Sequence, residues 1–319
     1  MNILICSAGR RVKLVEYFKE ELQQVNGKVI AIDCDPTAAA LYAADAFEIV
    51  PRIDHIEYIS ILKDLCRKYE INGILSLIDP ELTILASVKE EFEQEGIRLI
   101  VSDEDVIEIC FDKEQTYQCL QANGLPSVPT YTKLDDVKKE IESGKLSFPL
   151  IAKPKNGSAS IGIRKIVNME EIEALPENDQ DIVIQPFIDG EEYGVDCYVD
   201  LITKETTNIF IKRKLRMRAG ETDKSIAVKD PEVRSLIEKL TNALEFVGPI
   251  DVDCFRTSSG VIISEINPRF GGGYPHAHEM GQNFVRNLLN NLAGNINCKN
   301  AGDYQEGTTM IKYDQLKII

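Results

Sequence analysis

IDVDCFRTSSGVIISEINPR, residues 250 to 269, reads as two short strands around the turn Ser258, Ser259, Gly260. Glycine suits the left-handed position of a three-residue hairpin loop. With those three residues as the loop, Asp253 lies opposite Glu265 and Asp251 lies opposite Asn267. Side chains two apart on a strand share a face, so the four gather as oxygen donors on one side. Carboxylates that close repel unless a positive charge lies between them. Oxygen donors without histidine or cysteine suit Mg²⁺, which takes one or two carboxylates and completes its shell with water and phosphate oxygens. A solvated acidic face shows the same alternation, so the hairpin needs a second signal.

That signal stands in FPLIAKPKNGSASIGI, residues 148 to 163. Lys153 lies in a strand just before a loop of glycine and small residues, whose backbone N–H groups reach phosphate oxygens without side-chain obstruction. Gly157 and Gly162 have the spacing of a P-loop, but Ile163 stands where that loop needs its lysine and no Ser or Thr follows. Lysine before the loop, between two strands, is instead the arrangement of a flap that folds over ATP. The strand end IVIQPFIDGEEY, residues 182 to 193, adds apolar residues, a proline and acids. A hinge there presents backbone to an adenine edge and a carboxylate to ribose hydroxyls.

Around these motifs, residues 1–105 run NILIC, VKLVEYFKEELQQV, KVIAIDCDP, YISILKDLCRKY, GILSLID, ELTILASVKEEFEQEG and IRLIV. Short apolar runs between stretches of helical periodicity predict a parallel sheet covered by helices, a doubly wound α/β domain. In its first turn, CSAGRR, Gly9 stands alone where a dinucleotide fingerprint needs three glycines, so Asp33 after the second strand does not mark an NAD site. Residues 106–184 open with one helix, VIEICFDKEQTYQCLQANG, and continue with strands and a short helix. Residues 185–319 are α+β and rich in strands, with a helix at PEVRSLIEKLTNALEFVG. No long linker separates the regions, which places them around one cleft.

A chain of 319 residues with 44% hydrophobic content is globular, with about two domains as the starting expectation. A net charge of -16 argues against nucleic acid or an anionic membrane as the main partner, because both require a basic field. The start MNILICSAGRR has no cleavage site after it, and no stretch approaches the roughly 20 apolar residues of a membrane span. A soluble cytoplasmic protein is expected. Eight cysteines without a C-x-x-C predict buried free thiols rather than a zinc site or a disulfide frame. Three histidines are too few for a His-rich metal site.

The order of Lys113, Lys153 with the loop 156–162, the hinge 185–192, Asp253 and the run Glu265-Ile266-Asn267-Pro268-Arg269 resembles the ATP-grasp superfamily. Within it, the chain is similar to one ATP-binding half of the carbamoyl-phosphate synthase large subunit and to single-unit proteins of that kind. The resemblance covers nearly the whole chain. It implies a Rossmann-like pre-ATP-grasp domain over 1–105, a small ATP-grasp subdomain with a phosphate-covering loop over 106–184, and a C-terminal subdomain with a metal site over 185–319. It implies that Lys113 and Lys153 hold the ATP phosphates beneath Gly157, Ser158, Ala159 and Ser160. Gln185, Pro186, Phe187 and Ile188 would present backbone to adenine, and Glu192 would take the ribose. Asp253, Glu265 and Asn267 would bind two Mg²⁺ ions, with Mn²⁺ acceptable to the same donors. Arg269 would orient the carboxylate being phosphorylated, so that Arg269, Glu265 and Lys153 form the catalytic set.

The activity so implied is ADP-forming ligation of a small-molecule carboxylate to an amine or thiol through an acyl phosphate, with a homodimer allowed. Neither a second ATP-grasp half nor a glutaminase domain stands in these residues, which weighs against full carbamoyl-phosphate synthesis. Bicarbonate phosphorylation and a non-catalytic nucleotide-binding regulatory subunit are the alternative readings.

Substrate contacts are less legible. KRKLRMRAG, residues 212 to 220, is a basic strip in which Lys212, Lys214, Arg216 and Arg218 share a strand face. It suits an anionic ligand, or equally an exposed edge strand that discourages pairing. Arg10 and Arg11 follow the first strand at the sheet edge where α/β ligands bind. Asp79 and Glu81 are placed to hold an amine or to cap a turn. His276 and His278 suit a surface or helix-end role, or a role as acid, base or substrate contact, since histidine titrates near neutral pH.

Overall fold

The computed structural model describes residues 1–157, 162–175, 181–300 and 302–319. Ser158, Ala159 and Ser160 of the glycine loop therefore lie outside the described residues.

The first region builds β1 (Asn2–Cys6), α1 (Val12–Gln23), β2 (Lys28–Asp33), β3 (Ala46–Ile49), α2 (Tyr58–Tyr69), β4 (Gly73–Ser76), α3 (Asp79–Ser87), α4 (Lys89–Gln94) and β5 (Arg98–Leu99). Its strands are parallel in the order β3-β2-β1-β4-β5. The apolar runs are continuous because helices cover both faces. Ile3, Ile5 and Val29 pack with Leu14, Val15 and Phe18 of α1, whereas Leu4, Cys6 and Ile30 pack with Leu62 and Leu82 on the other side. Each fully buried aliphatic side chain contributes about 1.5–3 kcal/mol. Sequence reasoning misses β3, an edge strand whose four residues alternate between half-buried and exposed. The strand order reverses between β1 and β4, so the turns after them open toward a common crevice. Gly9 N–H donates to Asp33 Oδ2 at 2.8 Å, and Asp35 N–H donates to Asp33 Oδ1 at 2.9 Å, so the first turn closes on its own acid.

The next stretch forms α5 (Glu104–Phe111), α6 (Lys113–Ala122), α7 (Leu134–Glu142), β6 (Leu150–Pro154), β7 (Arg164–Ile166), α8 (Met169–Glu173) and β8 (Ile182–Pro186). Its sheet has the antiparallel order β7-β6-β8. The single helix expected from Val106 is two. Asp112 leaves helical geometry, and its Oδ1 accepts from the backbone N–H groups of Glu114 and Gln115 at 2.9 and 3.1 Å. Such a cap is worth about 1 kcal/mol. It also sets Lys113 at the first position of α6, where its Nζ donates to the Gly157 carbonyl at 2.7 Å.

The remaining elements are β9 (Glu191–Val199), β10 (Thr206–Arg218), β11 (Glu221–Ala227), α9 (Pro231–Ala243), β12 (Gly248–Thr257), β13 (Gly260–Asn267), α10 (Tyr274–Glu279), α11 (Phe284–Leu292) and β14 (Thr309–Ile311). They form a sheet in the order β13-β12-β9-β10-β11-β14. One face, through Val195, Cys197, Val252 and Cys254, packs on α9 and on Val106 and Leu120. Phe270, Tyr274, Phe284 and Leu288 join the core of Ile3 and Phe18, so the first and last regions share one hydrophobic interior. All eight cysteines are free, and Cys34 and Cys298 are exposed where buried thiols were expected. Among the described residues no helix is long and apolar enough to cross a membrane.

Candidate active site

The acidic hairpin keeps the expected pairing by a different route. Thr257 pairs with Gly260, so the turn is the two residues Ser258 and Ser259, one shorter than expected. Cys254 pairs with Ile263, but Asp253 pairs with Glu265 and Asp251 with Asn267, which leaves Ser264 as an extra residue on β13. Such a bulge inserts one residue and reverses the facing of those beyond it. Val261, Ile263 and Ile266 all enter the core against α9. Plain alternation would carry Glu265 into that core beside Ile263; the bulge turns Glu265 and Asn267 to the side of Asp251 and Asp253.

That side faces a cleft of about 480 Å³. Lys153, Gln185 to Ile188, Glu192, Asp253, Glu265, Asn267 and Arg269 all line it, bringing together residues from β6 to the end of β13. Gly157 lies in a recess with Asp79, Glu265 and Asn267. Burial pushes Lys113 and Lys153 below the ordinary lysine range, and Glu265 pulls each back up. Burial raises the Glu265 carboxyl, with Lys113 and Lys153 opposing and Asp253 adding to the rise. Two ammonium groups and two acids thus face one partly desolvated space. Gln185 is buried and donates from Nε2 to Thr130 Oγ1 at 2.8 Å.

Lys214 has a specific place that the basic strip did not reveal. Its Nζ lies 2.8 Å from Glu192 Oε1 and 2.6 Å from Asp253 Oδ1. Burial works against its charge, yet Asp253 and Glu192 hold its pKa above the ordinary lysine value. The lysine crosses β9 at Gly194, where an added Cβ would sit 3.2 Å from Lys214 Cε. Glycine inside a strand marks such a close approach, and that glycine was the one available signal.

The donor set fits a divalent cation that arrives with phosphate. Among the described residues no cluster of three or more His, Cys, Asp or Glu is placed to hold an ion unaided. Asp253, Glu265 and the Asn267 amide supply part of an oxygen shell and leave the rest to water and phosphate, as Mg²⁺ requires. Asp253 Oδ1 is buried and accepts no aligned hydrogen bond despite the nearby lysine.

Arg269 is buried and donates from Nη2 to Asp79 Oδ2 at 2.8 Å and to Asn267 Oδ1 at 3.1 Å. Burial opposes its charge, but Asp79, with Asp251 and Glu265 adding to it, holds the guanidinium pKa above its ordinary value. Asp79 Oδ1 and Arg269 Nε are buried without hydrogen-bond partners. Asp79 thus engages the arginine through Oδ2, while its Oδ1 is left without a partner. The three glycines that follow each meet a different charged group. A Cβ on Gly271 would overlap the Asp251 carboxylate, one on Gly272 would lie 2.7 Å from Arg11 Nη1, and one on Gly273 would lie 2.6 Å from Lys212 Cε.

Most other candidates fall outside the cleft. Glu81 is fully buried and accepts from Tyr58 and from Ser76 Oγ. Register shifts around Arg216 break the expected common face of the basic strip. Lys212 is buried in an ion pair with Asp196, while Arg216 is mostly exposed and Met217 lines the cleft instead. His276 is buried against Phe210, with Nδ1 2.8 Å from Ser225 Oγ, and His278 stacks on Tyr17. Both stand in the last turn of α10, His276 buried and His278 half-buried. Arg10 is half exposed, and Arg11 lines the cleft.

A parallel α/β domain joined to two antiparallel sheets, with paired acids and lysines in the cleft, defines the architecture of a phosphate-handling enzyme class. Residues 3–100 match the PylC-like N-terminal domain and residues 110–273 match the ATP-grasp domain; the chain belongs to the ATP-grasp family. It is 27% identical to D-alanine–D-alanine ligase A of Bacillus cereus over 54% of this chain and 57% of that one. It is 22% identical to phosphoribosylamine–glycine ligase of Halalkalibacterium halodurans over 85% of this chain and 68% of that one. The chain spans just over half the length of such D-alanine–D-alanine ligases. Among solved structures, the biotin carboxylase domain of Hydrogenobacter thermophilus 2-oxoglutarate carboxylase, in complex with MgADP, ADP and bicarbonate, matches with a TM-score of 0.75 at 18% identity. That match covers 96% of this chain and 73% of that one. L-amino acid ligase from Bacillus licheniformis matches with a TM-score of 0.69 at 21% identity, covering 97% of this chain and 78% of that one.

Proposed function

We propose that this protein is a cytoplasmic, ATP-dependent ligase that joins a small carboxylic acid to an amine or thiol through an acyl phosphate. The observation that carries the proposal is the convergence of the Asp253/Glu265/Asn267 face, Lys153 and Arg269 on one cleft. The segment 185–188 and Glu192 receive the nucleoside, and Lys113 and Lys153 receive the phosphates under the loop that begins at Gly157. Asp253, Glu265 and Asn267 hold Mg²⁺, two ions when fully loaded and Mn²⁺ in its place. When bound, the metal neutralises phosphate charge and keeps the leaving oxygens oriented. Arg269, oriented by Asp79, positions the acid.

A carboxylate oxygen attacks the γ-phosphorus, the bond to the β–γ bridging oxygen breaks, and ADP leaves with that electron pair. The amine or thiol then attacks the acyl carbon and inorganic phosphate departs. The protein supplies position and fixed charge, the main sources of catalysis in phosphoryl transfer. The D-alanine–D-alanine and phosphoribosylamine–glycine ligases among its relatives support this class of reaction.

The test is a screen of paired acids and amines or thiols, read by ADP release and by mass spectrometry of the product. Acid-dependent ADP release with a matching condensed product is expected. Binding of MgADP without turnover on any acid would instead make the chain a nucleotide-binding subunit. ADP formed on bicarbonate alone would move the assignment to carbamate chemistry.

A further inference from the structure

The cleft continues past Arg269 to a second group of charges. Arg11 and Glu221 line that end. Arg11 Nε lies 3.3 Å from Glu221 Oε1, Arg10 Nε lies 3.1 Å from the same oxygen, and Lys312 Nζ donates to Oε2 at 3.0 Å. One carboxylate is shared by three cations, which leaves the group with an excess of two positive charges. Burial alone would raise the Glu221 carboxyl, but Arg11, Lys312 and Arg10 bring it down to about 2, so it stays ionised. Burial also lowers the Arg11 pKa, the mark of a guanidinium stripped of much of its water. Its contact with Glu221 is an ion contact without an aligned hydrogen bond, and its side chain is 19% exposed. Arg269, by contrast, is matched by Asp79.

A desolvated guanidinium with a share of one acid is poorly compensated. A planar fork of N–H donors is built for a carboxylate or phosphate. Glu221 already carries three cations and is not vacant for an ammonium ligand, and Asp251, which also lines the cleft and acts on Arg11, reduces the excess positive charge without cancelling it. We infer that the acid substrate bears a second anionic group, carboxylate or phosphate, which Arg11 binds while Arg10 and Lys312 supply the surrounding field. This specificity rests on the proposed ligase reading, with the reacting carboxylate at Arg269 and the second group at Arg11. The two anchors come from different regions, Arg11 at the start of α1 and Arg269 just after β13, so a diacid spans the interface between them.

The experiment uses the full chain loaded with MgADP and titrates it calorimetrically with butyrate, glutarate and phosphoglycolate. Glutarate or phosphoglycolate is expected to bind at least about tenfold more tightly than butyrate, and which of the two is preferred identifies the second group as carboxylate or phosphate. Arg11→Met should reduce that preference below about twofold without a comparable change in MgADP affinity. Lys312→Met and Arg10→Gln, at more exposed positions, should each reduce it partly and serve if Arg11→Met does not fold. Equal binding of monoanion and dianion, or an undiminished preference in the folded variants, overturns the inference. Failure of the wild type to bind MgADP overturns the ligase reading instead.

Discussion

Lys212 and Asp196 form a buried ion pair beside Gly273, and the lysine offers the sharpest stability test in the molecule. Lys212→Met keeps much of the stem and removes the charge. Asp196 is then left beside Asp251, its partner across β9 and β12, with Lys212 no longer opposing their repulsion. Breaking a buried pair from one side costs about 3–5 kcal/mol. The loss carries a pH signature. In the wild type, burial raises the Asp196 carboxyl to about 6 against the pull of Lys212. A carboxyl raised in the folded state contributes stability that is complete below its unfolded value of about 3.9 and is lost as the pH rises through the folded value. That loss ends near pH 6 in the wild type; without Lys212 the folded pKa is higher, and the loss continues at about 1.4 kcal/mol per pH unit above it. Urea unfolding of both proteins at about pH 5.5 and about pH 8 measures the difference. The deficit should be larger at the higher pH, and Lys212→Met with Asp196→Val should recover most of it. A deficit under about 1 kcal/mol at the higher pH, or one that does not grow with pH, refutes the reasoning.

Glu265→Gln should slow acid-dependent ADP release by about 10²–10³-fold, or about 2.7–4 kcal/mol in the barrier, with the urea midpoint unchanged; near-normal turnover would sink the metal role. Arg269→Ala is the poorer probe, because it leaves Asp79 buried and unpaired. Gly271→Ala should lower ADP release by displacing Asp251 and cost about 1–3 kcal/mol of stability. Gly281→Ala, in open space at φ +84, should cost about 1–2 kcal/mol and leave turnover intact, so equal turnover in the two would remove the special role of Gly271. Burial lowers His276 to about 4 from an ordinary value of about 6.5, so its contribution is present above the unfolded pKa and is lost as the pH falls through the folded one. His276→Asn should therefore lose up to about 3 kcal/mol less than the wild type on acidification across that range; parallel pH profiles in urea unfolding would contradict this.

Local order decided much of this protein. Continuous apolar runs between amphipathic stretches determined the parallel sheet, since burial on both faces leaves no other pattern available. The run Glu265-Ile266-Asn267-Pro268-Arg269, with Lys153 before a small-residue loop, pointed to the ATP-grasp family that residues 110–273 match. What the tertiary structure decided is which face each charge takes and which charge meets it. The bulge at Ser264 turns Glu265 away from the core beside Ile263, an outcome that depends on pairing with β12 and is invisible in strand alternation. Shifts in β10 send Lys212 and Lys214 inward and Arg216 outward, although the three are evenly spaced in the chain. Arg269 finds Asp79 across 190 residues because two separately built sheets meet at one crevice, and no local propensity encodes such a contact.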